Sequence, residues 1–300
     1  MLSARSVFRA PALIGRGAAR APTRVCSLHG SRDEQHYTSA ATLYTGQDPD
    51  GSLCPYSQST MIALLEKQVP FQRIQLDMAS KPQEFRDLYH AVIPLKDVKE
   101  RVPLLLDGPT HLAESLVINE YLEARYKNQG ARLMPDDAAA QARVRLFIQF
   151  FQDHVLPHYR RIVHVENPQI VEEAHQQLLA ALEAVDAFLR LHGGSGAAGA
   201  VGPHSGFVMR DEDQAPQGAY FLGRQYSLAE VACTPWIARL ALVLPEWRGM
   251  DVVQECRRVG ADRAADWMAA CLARASAART DPTAADLIGG LVQAEAAHAL

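Results

Sequence analysis

The order of hydrophobic periodicities is what most restricts this chain. Between residues 42 and 126, short apolar runs alternate with segments of helical spacing, and beyond them only helical patterns follow. Thr42–Thr45 reads as a strand, Ser57–Lys67 as a helix, and Val69–Leu76 as a second strand with Phe71, Ile74 and Leu76 facing a core. Lys81-Pro82 opens a helix running to about Tyr89, with proline near its first turn. Val102–Leu106 is a third strand, Asp107–Thr110 a turn and His111–Ala113 a short fourth strand. Ser115–Tyr126 is a helix with Val117, Ile118, Tyr121 and Leu122 on its expected inner side. The order β-α-β-α-β-β-α begins with a right-handed βαβ unit and ends in a hairpin, so the sheet is mixed.

The remainder is expected to be all helical. Helices are predicted over Ala138–Val163, Val171–Leu191 and Leu228–Leu244, then over 251–259, 263–278 and 283–298. Ser227 and Glu230 have capping-box spacing before the third of these. The expected division is a leader over 1–38, an α/β domain over 41–128 and a linker over 129–137. A helical domain over 138–300 follows, interrupted at 193–218 by a Gly-, Ser- and Ala-rich insertion.

Charge is distributed unevenly. Residues 1–32 hold six arginines and no acid, so the formal net charge of −4 combines a leader of +6 with a remainder of −10. An Arg-, Ala- and Ser-rich, acid-free start is the composition of an organellar transit peptide, for mitochondrion or plastid. The acidic balance argues against nucleic acid as partner. Clean apolar runs are about five residues long, and no membrane span is expected from them.

The five cysteines are odd in number and irregular in spacing, which excludes a disulfide framework, and no Cys/His cluster has zinc-ligand spacing. Cys233, Cys256 and Cys271 fall within apolar helical patterns, as buried small hydrophobes do. Cys54 instead lies in Cys54-Pro55-Tyr56-Ser57, where a strand hands over to a helix. Unpaired N–H groups and the positive helix end favour an anion there, so a thiol at that place should ionise readily. Ser57 stands where a dithiol motif would carry its second cysteine, so turnover needs an outside thiol.

These residues resemble the thioredoxin-like half of a glutathione transferase, in the cysteine-bearing branch of omega, lambda and dehydroascorbate-reductase classes. Cys54-Pro55-Tyr56-Ser57 resembles that branch's Cys-Pro-aromatic-small motif, and Ser80-Lys81-Pro82-Gln83-Glu84-Phe85 its Asn-Lys-Pro segment. Val102-Pro103 resembles its Val-cis-Pro pair, Glu114-Ser115 its Glu-Ser pair, and the Ser227–Glu230 stretch its helical core signature. The resemblance implies an α/β thioredoxin-like domain followed by an all-α domain, and a monothiol oxidoreductase with Cys54 as nucleophile and glutathione as co-substrate without a metal, acting in thiol transfer, deglutathionylation, dehydroascorbate reduction or weak conjugation.

It further implies that Pro55 and Tyr56 flank the ligand, Ser115 holds the γ-glutamyl carboxylate, and Glu114 accepts from the γ-glutamyl ammonium. The Val102 backbone, beside cis-Pro103, would pair with the cysteinyl unit, and Lys81 would meet the glycyl carboxylate. Lys96, Lys99 and Arg101 are alternatives to Lys81, because the segment His90–Arg101 is longer and more charged than the family pattern. Ser59 stands where these classes often carry arginine. An acceptor, small or glutathionylated, would lie in a cleft walled by His154, His158, Tyr159 and Trp236, and a homodimer is common in the family. The rival implication is a ligand-binding or assembly module of the same fold without turnover.

Overall fold

The computed structural model describes residues 40–46, 53–95, 97–192 and 218–280. The expected leader, the insertion up to residue 217, Lys96 and the helix expected over 283–298 lie outside the described residues. The α/β domain runs β1 (Ala41–Gly46), α1 (Pro55–Glu66), β2 (Phe71–Leu76), α2 (Gln83–Val92), β3 (Leu104–Asp107), β4 (Thr110–Ala113) and α3 (Ser115–Arg125). The helical domain runs α4 (Ala138–His154), α5 (Leu156–His164), α6 (Pro168–His192), α7 (Leu228–Arg248), α8 (Val252–Arg258), α9 (Asp262–Leu272) and α10 (Ala275–Thr280). This is the expected thioredoxin-like unit followed by helices.

The sheet order is β2-β1-β3-β4. β1 pairs parallel with β2, Gly46 opposite Leu76. β3 is antiparallel to β1, Tyr44 opposite Leu104, and to β4, Leu104 opposite Ala113. One edge of the sheet therefore collects the ends of β1, β2 and β4 and the start of β3. On one face, Leu43 and Leu105 pack with Ile62, Ile118 and Leu122 in a core that continues into the helical domain through Phe147, Trp236 and Trp267. On the other, Tyr44, Leu76 and Leu104 pack under Phe85 and Tyr89 of α2.

Several expectations are corrected. The single helix over Ala138–Val163 breaks at Val155, because Pro157 has no N–H and crowds the carbonyl four residues back. The helix over 263–278 splits between Leu272 and Ala275. Val117 is 54% exposed, since the buried stripe of α3 runs through Ile118 and Leu122, and its neighbour in sequence sits about 100° around the helix. By length and composition α7 is apolar enough to cross a membrane, which the short runs did not reveal; most of it is buried inside the protein, as in a helix apolar on every side.

The capping box of α7 is formed. Glu230 accepts from the Ser227 N–H (2.9 Å) and hydroxyl (2.7 Å), the Phe221 N–H (2.6 Å) and the Trp267 indole (2.9 Å). Burial raises the pKa of Glu230 while these donors oppose the shift. Cys233, Cys256 and Cys271 are buried, and burial pushes the Cys256 thiol up to about 12 and the other two well above the ordinary range.

Candidate active site

Cys54 is the N-cap of α1, with φ −54° and ψ 122°, and Pro55 takes the first helical position. Its N–H donates to the Gly46 carbonyl (3.1 Å), and its carbonyl accepts from the Gln58 N–H (2.9 Å). The cysteine is thus fastened both to the end of β1 and to the first turn of α1, and it is only 4% exposed. Gly46 lies against the side chains of Met78 and Val102. A Cβ there would lie 2.6 Å from the Met78 sulfur and 3.1 Å from Val102 Cγ2. The same glycine therefore brings Val102 close to the Cys54 turn.

The Val102–Pro103 peptide bond is cis. Across β3 and β4, Leu104 pairs with Ala113, which places Glu114 and Ser115 at the same edge. Ser115 is the first residue of α3 and is buried, whereas Glu114 precedes it exposed and at φ 70°. A positive φ costs a non-glycine residue about 1–3 kcal/mol and is typical of functional edges. Helices α1 and α3 run side by side in the same direction, since Asn119 contacts Ser59 (3.5 Å) and Glu123 contacts Lys67 (2.8 Å). Their N-terminal ends, at Cys54 and Ser115, therefore open toward the same place, two helix starts whose dipoles suit an anionic ligand.

Lys81 is engaged differently from what the resemblance implies. It is 9% exposed, and its ammonium donates to the Glu100 carboxylate (2.8 Å) and the Glu100 carbonyl (2.9 Å). His90 Nε2 lies 3.2 Å from the other Glu100 oxygen. Hydrogen bonding from Lys81 leads the effects that hold the Glu100 carboxyl down at about 2. Any glycyl carboxylate would compete with Glu100 for Lys81. Lys99 and Arg101, on the same segment, are exposed.

The helical domain supplies the facing wall. Tyr56 packs edge-on against Trp236 of α7 (centroids 5.4 Å), and Tyr159 of α5 meets the same ring at 6.2 Å. The Tyr56 hydroxyl accepts from Arg160 (2.8 Å), whose guanidinium lies 5.6 Å from the Trp236 ring. Of the four predicted wall residues, Tyr159 and Trp236 come together with Tyr56. His154 stacks on Phe150 (4.7 Å), which packs against Phe188 and so joins a different cluster. His158 is half-buried with a buried, unpartnered Nδ1, and burial, then Arg161 and His154, lower its pKa.

Two arginines escaped the sequence reading. Arg160 gave no signal, being one of several charges on an amphipathic helix. Arg239 could have been noticed as the lone charge between Val231 and Pro245. It is 3% exposed and donates to the Gln58 side chain (3.0 Å), to the Pro235 carbonyl (2.7 Å) and to the Leu53 carbonyl.

Fold and site together define a two-domain protein, a thioredoxin-like unit with a cysteine at its first helix and an all-helical partner. Residues 53–125 match the family model described as glutathione S-transferase, N-terminal domain. Glutathione S-transferase U9 of Arabidopsis thaliana is 27% identical over 115 residues, 38% of this chain and 45% of that protein. Glutathione S-transferase DHAR2 of the same plant is 26% identical over 148 residues, 49% and 59% of the two chains. These alignments thus span about half the length of the curated relatives. The crystal structure of glutathione transferase Omega 3C from Trametes versicolor superposes with a TM-score of 0.60 at 24% identity, covering 82% of this chain and 90% of the other. Residues 53–125 are thus similar to the N-terminal domain of glutathione S-transferases, and the chain shares the fold of the solved transferases.

Proposed function

We propose that this protein is a glutathione-dependent monothiol oxidoreductase of the cysteine type, with Cys54 as nucleophile. The observation that carries the reading is the convergence of Cys54, cis-Pro103 and Ser115 on one sheet edge, with serine rather than cysteine at position 57. Likeness to DHAR2 and to an omega transferase agrees with it. In the cycle, the Cys54 thiolate attacks the glutathionyl sulfur of a mixed disulfide. The old S–S bond breaks, a new Cys54–glutathione disulfide forms, and the acceptor leaves as a thiolate that takes a proton from water. A second glutathione thiolate then attacks the glutathionyl sulfur, oxidised glutathione departs, and Cys54 is a thiolate again. Ser115, Glu114 and the Val102 backbone hold the glutathione ends, while Tyr56, Tyr159 and Trp236 face the acceptor.

Incubation with oxidised glutathione should add one glutathionyl group, mapped by mass spectrometry to Cys54. Cys54→Ser should abolish thiol transfer and keep glutathione binding. Full transfer by that variant would refute the assignment. A binding module without turnover draws support from the burial of Cys54 and from Lys81 being held by Glu100. Retention on immobilised glutathione with no turnover of any mixed disulfide is its signature.

Two further proposals concern setting. Exposed Val117 and Leu146 on α3 and α4 suit a homodimer, which light scattering in solution would detect or deny. Import into mitochondrion or plastid, argued from the basic leader, would fail if a reporter fused to residues 1–38 stayed in the cytosol.

A further inference from the structure

Arg239 is the buried cation whose role the fold leaves unexplained. The buried lysines of the α/β domain are paired with acids, Lys67 with Glu123 (2.8 Å) and Lys81 with Glu100 (2.8 Å). Arg239 is held by neutral partners, the Leu53 and Pro235 carbonyls and the Gln58 amide oxygen, with the Trp236 ring 5.9 Å from its guanidinium. Among the described residues no carboxylate lies within ion-pair distance of it. A buried charge without a counter-ion is expensive unless something else compensates. Two of its three hydrogen-bond partners bracket the cysteine. Leu53 immediately precedes Cys54, and the Gln58 N–H closes the first turn on the Cys54 carbonyl. Arg239 reaches them from α7, 181 and 186 residues away in sequence.

We infer that Arg239 is a positioning residue for Cys54. Its guanidinium fork clamps the turn on both sides of the cysteine, and its charge is balanced by the thiolate when that forms. This rests on the reading of Cys54 as nucleophile, and it offers a cation where Ser59 supplies none. Other charged or titratable groups surround the helix. At the Cys54 end these are Tyr56 with Arg160 of α5, Arg73 of β2, which donates to Thr45 (3.0 Å) next to Gly46, and Glu114 at the head of α3. At the far end, Glu66 pairs with Arg274 and Lys67 with Glu123. Each pair there joins opposite charges.

The test is the pH dependence of Cys54 alkylation by iodoacetamide, followed by peptide mass mapping on the full chain. Circular dichroism and the melting temperature establish that each variant is folded. Arg239→Gln should raise the apparent thiol pKa by about one unit or more, slowing alkylation near pH 6.5 about tenfold. Arg239→Lys keeps the charge but not the fork, and should slow it by a smaller, several-fold factor. The lysine variant alone decides the matter if the glutamine variant does not fold. A folded variant of either kind with the wild-type profile overturns the role of Arg239 and leaves Cys54 as nucleophile. A wild-type Cys54 that titrates as an ordinary thiol overturns both.

Discussion

At the scale of single residues, the site sets a cysteine at the head of α1 three residues before a serine. Ser57 is fully buried, and its hydroxyl makes no hydrogen bond among the described residues. Ser57→Cys therefore loses no hydrogen-bond partner, and the new thiol sits three residues along α1 from Cys54. After exposure to oxidised glutathione, this variant should release the glutathionyl group and finish with a disulfide between Cys54 and the introduced thiol. Intact mass would show no adduct and two hydrogens fewer. Glu100 gives a second prediction. Its carboxyl titrates near 2 instead of its ordinary 4.5 because Lys81 donates to it. A depressed carboxyl contributes stability that is complete above about pH 4.5 and is lost as the pH falls toward 2. Glu100→Gln should flatten that acid limb in denaturation curves. It should also lower the KM for glutathione if Lys81 grips the glycyl carboxylate; an unchanged KM would remove Lys81 from the ligand set.

At the scale of elements, α1 is held at both ends by polar contacts that its own sequence cannot announce. Lys67, which follows its last turn, is fully buried and donates to Glu123 of α3 and to the Ala131 carbonyl of the linker (2.9 Å). Glu123 also accepts from the Leu133 N–H (3.1 Å). Glu123→Ala strands the ammonium in the interior and should cost about 3–5 kcal/mol, read as a lower denaturation midpoint. A surface-like loss of under about 1 kcal/mol would mean that water reaches Lys67. Gly130, at φ +62°, belongs to this arrangement, since a Cβ there would meet the Glu66 carbonyl at 2.2 Å. The helices themselves were legible from spacing and caps. Their ends were less so, because breaks such as that at Val155 depend on proline sterics within a continuous apolar pattern.

At the scale of the molecule, the domains share one core and several polar ties. Arg274 and Ser276, at the α9–α10 junction, bind Glu66 of α1 (2.7 and 2.5 Å), and Arg239 binds the Cys54 turn. The domains should therefore unfold together. All three tryptophans lie in the helical domain, so fluorescence reports on that half, while Cys54 alkylation reports on the other. Denaturant midpoints from the two probes should coincide. Separate midpoints would show that the α/β domain opens alone, away from Tyr159 and Trp236 of the helical domain.

The sequence by itself determined what short range controls. Alternating periodicities set the order of elements, Pro55 and the spacing of Ser227 and Glu230 set helix starts, and the four motifs of the α/β domain each fell where a strand or helix begins or ends. Only the tertiary structure decided which side chains meet. It joined Lys81 to Glu100, kept Val117 outside the core, drew Tyr159 and Trp236 but not His154 to Tyr56, and brought Arg239 to Leu53. The reason is physical. Caps and periodicity act within a few residues of backbone, whereas a buried charge finds its partner across the packed faces of elements far apart in the chain, and no local pattern encodes that meeting.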